Sequence, residues 1–556
     1  MNNQYSLNQY QTSMATANTE QINNYFKQKE APKKEETGLT KQMKRQFSFF
    51  GPASIIYALF YTFCLYKNAS GITYPFFVAG TLYYFFLSMK KLGVPYKKGS
   101  LFYVISIILL GISNCCTTSV PLLKMNKLGI FLLFFILMLH TVYQDTDWTL
   151  PKYMTAILRT IFNSVTCLLS PFQGLASFFD AKKQVKSDKK NYFFYIIIGI
   201  AISIPVLFVM IMLLCSADVV FGNIMRNLFS FDISFTDMIN IPLLITVVFF
   251  ASYALLSALC RKTVNEDVSE KKVLEPIIAI IVTGMLSVVY LMFSMIQILY
   301  LFIGKMKLPD GYTYSSYARQ GFFQLLAVCI INLILVLICL RFFKDNMILK
   351  IILTVISGCT FIMILSSTLR MLMYIEEYDL TFLRIFVLWA LAVIFLLMTG
   401  VTIYIHFQRF PLFFYSILIT TVLYIGLSFA HPDYWIARYN LAHAHGSYTT
   451  RDYLYELSTD ATPAILDASK NPNLLVDVQT LKNLAALEYK YTYEEYSSKK
   501  QSEAVRLVNS TMKEAYGDAY WIGLYHYYED IYKQSKRMDI RNFNFSIFFA
   551  EKSAGL

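Results

Sequence analysis

Long apolar runs separated by short polar or basic segments dominate the chain from Phe47 to Ala430. Most of them approach the length of about 20 residues that a helix needs to cross the hydrocarbon core of a bilayer. Because backbone polar groups find no water in that core, such runs predict helices, which satisfy these groups internally. We predict about eleven spans, at 47–66, 71–89, 101–120, 128–143, 193–215, 238–260, 277–304, 321–340, 348–368, 385–407 and 412–430.

Two polar regions flank these spans. Residues 1–46 are rich in Asn, Gln, Thr and Lys, a composition typical of a disordered tail. Residues 431–556 show helical patterns without strand alternation. The expected fold is therefore all-α: a polytopic transmembrane helix bundle over 47–430, followed by an α-helical extramembrane domain over 431–556.

The segment 154–169 differs from the spans because polar residues such as Arg159 and Asn163 interrupt its apolar positions at helical spacing. This pattern predicts an amphipathic helix lying on the cytoplasmic membrane surface. A helix packed against the inner end of the bundle has the same pattern, so both placements stay open.

Composition and charge agree with a membrane protein. Hydrophobic residues make up 56% of the 556 residues and charged residues only 15%, which excludes an ordinary soluble protein. Lys and Arg are concentrated in the N-terminal tail and in alternate loops, so the positive-inside rule predicts a cytoplasmic N-terminus. An odd number of spans then places the C-terminal domain outside the cytoplasm.

The net charge of +13 does not indicate nucleic-acid binding, because the C-terminal domain is slightly acidic and shows no basic face. That domain also contains no cysteine. An extracytoplasmic domain without cysteine favours a bacterial cell envelope over a eukaryotic secretory pathway.

No known catalytic or cofactor-binding motif occurs in the chain, so we predict no catalytic residue, cofactor or metal site. His443 and His445 would diverge on a helix, which argues against a metal site. Asp452, Glu456 and Asp460 are expected to be helix caps or solvated residues rather than an acid/base pair.

The densest polar cluster is predicted at the outer membrane interface. Its members are Arg319, Arg370, Tyr374, Glu377, Asp379 and Arg384. Paired arginines can bind a phosphate or carboxylate, which would suit a lipid headgroup or an envelope polymer. An ion-pair network that holds two loops together is the alternative. Arg370, Glu377 and Arg384 would share one face if the whole segment were helical.

Few polar groups are predicted near the middle of the membrane. These groups are expected to form hydrogen bonds between helices, and they are Asn114, Gln297, Gln324 and Asn332. The scarcity of buried charged residues argues against a proton-coupled transporter or a voltage sensor.

Four segments resemble a bacterial membrane-protein family called domain of unknown function 4173, which is related to family 4153. The segments are TYSSYARQGFFQL (313–325), LRMLMYIEEYDLTFLR (369–384), IARYNLAHA with DYLYELSTDATPAIL (within 436–466) and RNFNFSIFFAEK (541–552). Asp379 stands where the family has Gly, and Asp tolerates a left-handed turn better than most residues. The resemblance implies a polytopic fold and an envelope location, and it brings no established activity.

The sequence therefore favours a non-enzymatic envelope protein in the cell membrane. Its outer helical domain would bind a ligand or partner and signal across the membrane. Its partners would be the lipid bilayer and an envelope polymer, a lipid headgroup or a protein. Two alternatives stay open: a transporter or flippase, and an enzyme that uses Glu377 or Asp379 with Arg370 on lipid-linked substrates at the outer interface.

Overall fold

The computed structural model describes residues 37–184 except 69 and 147, residues 210, 214 and 218, and residues 235–266, 272–299, 314–443, 453–469 and 520–554. Within these ranges every regular element is a helix, and the only β feature is an isolated bridge between Leu274 and Phe343. The predicted all-α fold class is confirmed.

Thirteen helices precede residue 430 in the part of the chain that the structure describes. They are α1 (Gly38–Arg45), α2 (Phe47–Leu65), α3 (Thr73–Lys91), α4 (Ser100–Cys116), α5 (Val120–Val142), α6 (Leu150–Thr166), α7 (Ser170–Gln184), α8 (Phe235–Cys260), α9 (Pro276–Gln297), α10 (Tyr314–Phe342), α11 (Met347–Tyr378), α12 (Phe382–His406) and α13 (Leu412–Phe429). Eight of them, α2, α5 and α8 to α13, are long and apolar enough to cross a membrane. The shorter apolar helix α4 and the aromatic helix α3 pack beside them.

Contacts between turns define two ends of this bundle. At the end that we call the docking end, Asn544 Nδ2 donates to the carbonyls of Ser70, at 2.9 Å, and Thr117, at 3.2 Å. These residues join the α2–α3 and α4–α5 turns to the C-terminal residues. At the opposite end, the tail end, Thr37 Oγ1 donates to the carbonyl of Cys260 at 2.5 Å.

The boundaries of the fourth and ninth predicted spans differ most from the sequence-based expectation. The fourth begins at Val120 rather than Leu128, because Pro121 is well suited to a first helical turn. This adds Lys127 to the helix, where its ammonium lies 6.0 Å from the centre of the Tyr74 ring. The ninth span, expected to end near residue 368, continues as α11 to residue 378. The predicted fifth span, 193–215, lies outside the described residues except for 210 and 214.

Three shorter helices lie at the tail end. Helix α1 falls within the predicted tail, and its Met43 side chain is buried. Helix α6 starts at Leu150, before the predicted 154, and packs on α8. Tyr153 and Ala156 are on its buried face, whereas Met154 and Phe162 belong to an exposed apolar row. The predicted amphipathic helix therefore contacts the bundle with one face and presents a second apolar face outward.

The described C-terminal helices form a second apolar core. They are α14 (Pro432–Ala442), α15 (Thr462–Ser469), preceded by a 3₁₀ turn at Thr459–Ala461, α16 (Tyr520–Lys536) and α17 (Phe545–Ala554). This core contains Ile436, Leu454, Ile465, Tyr528, Ile531 and Ala550. Leu380 and Phe382, from the α11–α12 turn, pack against it. The C-terminal helices thus rest on the docking end of the bundle.

Candidate functional site

At the turn between α11 and α12, the structure brings together three of the six residues of the predicted polar cluster: Tyr374, Asp379 and Arg384. Asp379 follows the last residue of α11 with a φ of 65° and a ψ of 179°, a backbone conformation outside the left-handed helical region that glycine adopts far more readily than Asp. Arg384 Nη1 donates to the carbonyl of Tyr378 at 2.5 Å and to that of Asp379. Its guanidinium carbon lies 4.4 Å from the centre of the Tyr374 ring. Arg384 therefore caps α11, whose carbonyl end favours a positive charge.

The remaining predicted residues have other surroundings. Arg370 is buried, and its Nη2 lies 3.4 Å from Gln297 Oε1 on α9. Glu377 is exposed, and Arg319 belongs to α10. Because a turn separates α11 from α12, the helical face expected to carry Arg370, Glu377 and Arg384 is not continuous.

The α11–α12 turn is held from the C-terminal side. Asn440 Oδ1 accepts from the Leu380 N–H at 2.7 Å, and its Nδ2 donates to the Leu380 carbonyl at 2.9 Å. Tyr453 OH accepts from the Phe382 N–H at 3.0 Å. These bonds satisfy backbone groups that a turn leaves open. They also join the second and third of the family-like segments.

A denser polar cluster, the docking junction, lies where the C-terminal residues meet the bundle. It consists of Thr117, Thr118, Ser119, His431, Asp433, Ser458, Thr459 and Asp460. Asp460 Oδ2 accepts from Thr117 Oγ1 at 2.5 Å and lies 3.4 Å from His431 Nδ1. The Asp460 side chain is 1% exposed, and its Oδ1 has no hydrogen-bond partner among the described residues. This oxygen retains acceptor capacity for a further donor.

The second carboxylate of the junction, Asp433, is buried at the start of α14. Its Oδ2 accepts from Ser458 Oγ at 2.5 Å and from the Ser458 N–H at 3.3 Å. The Thr118 and Thr459 hydroxyl oxygens lie 2.7 Å apart, and Thr459 Oγ1 lies 2.6 Å from Ser546 Oγ on α17. Hydroxyl and carboxylate groups thus bond three C-terminal elements to one membrane turn.

Burial and mutual charge change the acidity of the junction. The pKa of His431 is above its ordinary value, chiefly because the imidazole bonds to Asp460. The pKa of the Asp433 carboxyl is also raised, first by burial and then by the negative charge of Asp460, against the opposing bond from Ser458. A protonated His431 therefore stabilises the pair of buried carboxylates.

A buried polar column continues from the junction into the bundle. Asn126 Oδ1 on α5 accepts from Tyr424 OH and Ser428 Oγ on α13, both at 2.7 Å. Ser428 Oγ lies 2.6 Å from Ser113 Oγ on α4. Ser113 and Ser428 precede Thr117 and His431 by about one helical turn. The column therefore links the packing of α4, α5 and α13 to the docking junction.

The sequence did not identify Asp460 as part of such a site. It was expected to be a solvated cap, but it is buried because Thr117 and His431 cover it. Glu456 is exposed as expected, and Asp452 lies outside the described residues. The run of three hydroxyl residues at 117–119, between two apolar helices, was the available signal.

The mid-membrane amides have different environments. Gln297 Oε1 accepts from Ser366 Oγ at 2.7 Å, and Asn332 Nδ2 donates to Thr360 Oγ1 at 2.9 Å. Both bonds join neighbouring helices, as expected for amides in a membrane. Gln324 is exposed on α10.

The two histidines of the C-terminal segment are only partly described. His443 Nδ1 lies 3.0 Å from the Tyr439 carbonyl, whereas His445 lies outside the described residues. No group of three His, Cys, Asp or Glu residues in the described ranges is arranged to hold a metal ion.

Comparisons with known proteins assign the chain to a family. Residues 104–468 match the family model "Domain of unknown function (DUF4153)", which is the relative of family 4173 named above. The match includes Thr117, Asn440 and Asp460, whereas α16 and α17 lie beyond it. No curated protein and no solved structure matches the chain. Since the match spans more than half of the 556 residues, this chain belongs to the family described as domain of unknown function 4153.

Proposed function

We propose that this protein is a non-enzymatic, multi-pass protein of the bacterial cell membrane whose C-terminal helical domain binds an extracytoplasmic ligand or partner. Binding would change how that domain engages the docking end, and the helix bundle would carry the change to the cytoplasmic side. The supporting observation is Asp460, a residue of the C-terminal segment that is buried against Thr117 of the bundle, beside His431 at the start of α14. The ligand would be an envelope polymer, a lipid headgroup or a protein.

Helix directions support eleven spans and opposite sides for the two termini. Tyr66, at the end of α2, donates to Asp237 Oδ1 at 2.5 Å, so α8 begins at the docking end. Helix α5 begins there too, since Thr117 precedes it. Because α5 and α8 run in the same direction, we propose that the span predicted at 193–215 provides the crossing between them. Ten described helices and that crossing give about eleven spans.

The polar column supports coupling across the membrane. A buried hydrogen-bonded network has few alternative arrangements, because each unsatisfied group costs free energy. A change at Asp460 therefore alters the favoured packing of α4, α5 and α13, which extend to the tail end. Coupling needs such a physical connection between two sites, together with an element that has two states.

Cysteine labelling tests the orientation. Ile540, which is 93% exposed near α17, and Arg409, exposed in the α12–α13 turn at the tail end, are each replaced by Cys. An impermeant maleimide on intact cells should label Ile540→Cys and should label Arg409→Cys only after lysis, with the wild type as background. The reverse pattern would place the C-terminal helices in the cytoplasm and overturn the proposal.

The Arg409→Cys variant also tests whether the C-terminal domain is coupled to the tail end. In permeabilised cells, Asp460→Asn should change the labelling rate of Arg409→Cys by about twofold or more, as expected for coupling of about 0.5–2 kcal/mol. Asp530→Asn makes the same chemical change at an exposed position on α16 and should leave the rate unchanged. Equal rates in all three backgrounds would contradict signalling through the bundle.

A further inference from the structure

An apolar groove lies on the outside of the bundle, along the seam between α2 and α3. Its volume is about 450 Å³, within the range of roughly 300–1,000 Å³ common for small-molecule sites. It is lined by Phe60, Phe63, Cys64, Thr73, Phe76, Ala79, Gly80 and Tyr83. From Thr73 to Tyr83 it follows α3 for about 15 Å, which is about half of the hydrocarbon thickness.

A positive charge lies at the docking end of this groove. Arg541 Nη1 donates to the carbonyl of Phe63, a lining residue, at 3.4 Å. Among the described residues no carboxylate lies within ion-pair distance of Arg541. The other nearby cation, Lys67, is already paired with Asp237. The charge of Arg541 is therefore available to an anion at the mouth of the groove.

The backbone around Arg541 is firmly positioned by the α2–α3 turn. Asn68 Nδ2 donates to the Arg541 carbonyl at 2.9 Å, and the Ile72 N–H donates to the Phe543 carbonyl at 2.7 Å. Gly71 permits this close approach, because a Cβ there would lie 2.5 Å from the Arg541 carbonyl oxygen. The location of the guanidinium at the groove is thus determined by the fold and not by a loose surface loop.

We infer that this groove is a binding site for an anionic phospholipid, with an acyl chain between α2 and α3 and its phosphate at Arg541. An apolar groove facing the bilayer loses dispersion contacts unless hydrocarbon fills it. Arginine binds phosphate through paired, charge-assisted hydrogen bonds. The docking end of a membrane-spanning helix lies at the depth of the headgroups, where such a bond can form. This inference does not depend on which side of the membrane the docking end faces.

Native mass spectrometry of the full-length protein tests this site. The protein is purified in detergent and exposed to phosphatidylglycerol or to phosphatidylcholine with the same acyl chains. The wild type should retain one phosphatidylglycerol in preference to phosphatidylcholine. Arg541→Gln should weaken phosphatidylglycerol retention by about tenfold or more, whereas Arg541→Lys, which keeps the charge, should lose less.

Two further variants separate the site from general effects. Ala79→Trp adds a large side chain at an exposed lining position and should reduce retention of both lipids. Arg438→Gln removes an exposed arginine of α14 and should behave as the wild type. The inference is overturned if Arg541→Gln retains phosphatidylglycerol normally, if Arg438→Gln loses it equally, or if Ala79→Trp retains both lipids. Displacement of lipid by a copurifying protein helix in the wild type would also overturn it.

Discussion

At the scale of single residues, the docking junction combines groups that are costly to bury. Two carboxylates are buried between apolar helices, beside the partly exposed imidazole of His431, and a buried charge without a partner destabilises a fold by several kcal/mol. Here His431 lies against Asp460, and Ser458 donates twice to Asp433. His431 also has a φ of 47°, a left-handed conformation that is uncommon for non-glycine residues, although histidine is enriched among those that adopt it. Uncommon backbone conformations beside buried polar groups are often associated with function.

The protonation of the junction leads to a prediction about pH. The pKa of His431 is raised in the docked state, so its stabilisation is present below about pH 6.5 and is lost as the pH rises through the raised pKa. The pKa of Asp433 is raised too, so its ionisation disfavours docking as the pH rises through the acidic range above its ordinary pKa, and the change near neutral pH is assigned to His431. We expect α16 to be better protected from hydrogen exchange at about pH 6 than at about pH 8.5, after correction for intrinsic exchange rates.

His431→Asn is the control for this pH dependence. Asn tolerates a positive φ and can still donate a hydrogen bond, but it does not titrate in this range. The variant should keep the C-terminal helices docked and lose the steepest part of the pH dependence. An unchanged pH dependence in His431→Asn would show that another group controls docking.

At the scale of helices, the apolar pattern predicted which segments are helical much better than where they end. Helix α11 was predicted to end near residue 368, because hydropathy falls there, yet it continues to Tyr378. Its end is determined by Arg384, which bonds the last carbonyls, and by the positive φ of Asp379. Such caps depend on single residues and their geometry, which average hydropathy does not describe.

The docking junction was harder to predict for a different reason. Thr118 and Thr459 are 341 residues apart in sequence, although their hydroxyl oxygens lie 2.7 Å apart. Neither periodicity nor composition reports contacts over that separation. The polar cluster around Arg370 and Arg384 was easier to notice, because its members are close in sequence.

Two glycines give a prediction about helix packing. A Cβ on Gly400 of α12 would lie 2.3 Å from the Tyr415 ring, which is held by a bond from its hydroxyl to the Leu396 carbonyl at 2.9 Å. Gly400→Ala should therefore destabilise the α12–α13 contact by about 1–3 kcal/mol. At Gly426 of α13 a Cβ meets no atom within 4 Å, so Gly426→Ala should stabilise by up to about 1 kcal/mol.

The two variants are informative together because their expected changes in stability have opposite signs. Thermal unfolding in one detergent should give a lower Tm for Gly400→Ala and an equal or higher Tm for Gly426→Ala. A similar change in both variants would mean that the α12–α13 crossing is looser than the structure describes.

At the scale of the whole molecule, the last residues of the chain connect helices from its first quarter. Asn544 donates to the carbonyls of Ser70 and Thr117, and its Oδ1 accepts from the Ser546 N–H at 2.9 Å. One side chain thus bonds the α2–α3 turn, the α4–α5 turn and the start of α17. The C-terminal helices therefore stabilise the bundle as well as resting on it.

This arrangement predicts that Asn544→Ala weakens the bundle itself. Loss of the Asn544 amide leaves two carbonyls and one N–H without their hydrogen-bond partner, which costs about 2–4 kcal/mol of stability. The variant should therefore have a Tm several degrees lower than the wild type. A thiol-reactive dye can follow the unfolding, because the described cysteines are buried or half-buried and all belong to the bundle. Lys552→Ala, at an exposed position on α17, is the matched control. If Asn544→Ala releases the C-terminal helices to protease while the dye reports an unchanged Tm, the C-terminal helices do not stabilise the bundle. A bundle that is independent of α17 in this way would also be unable to sense what those helices bind.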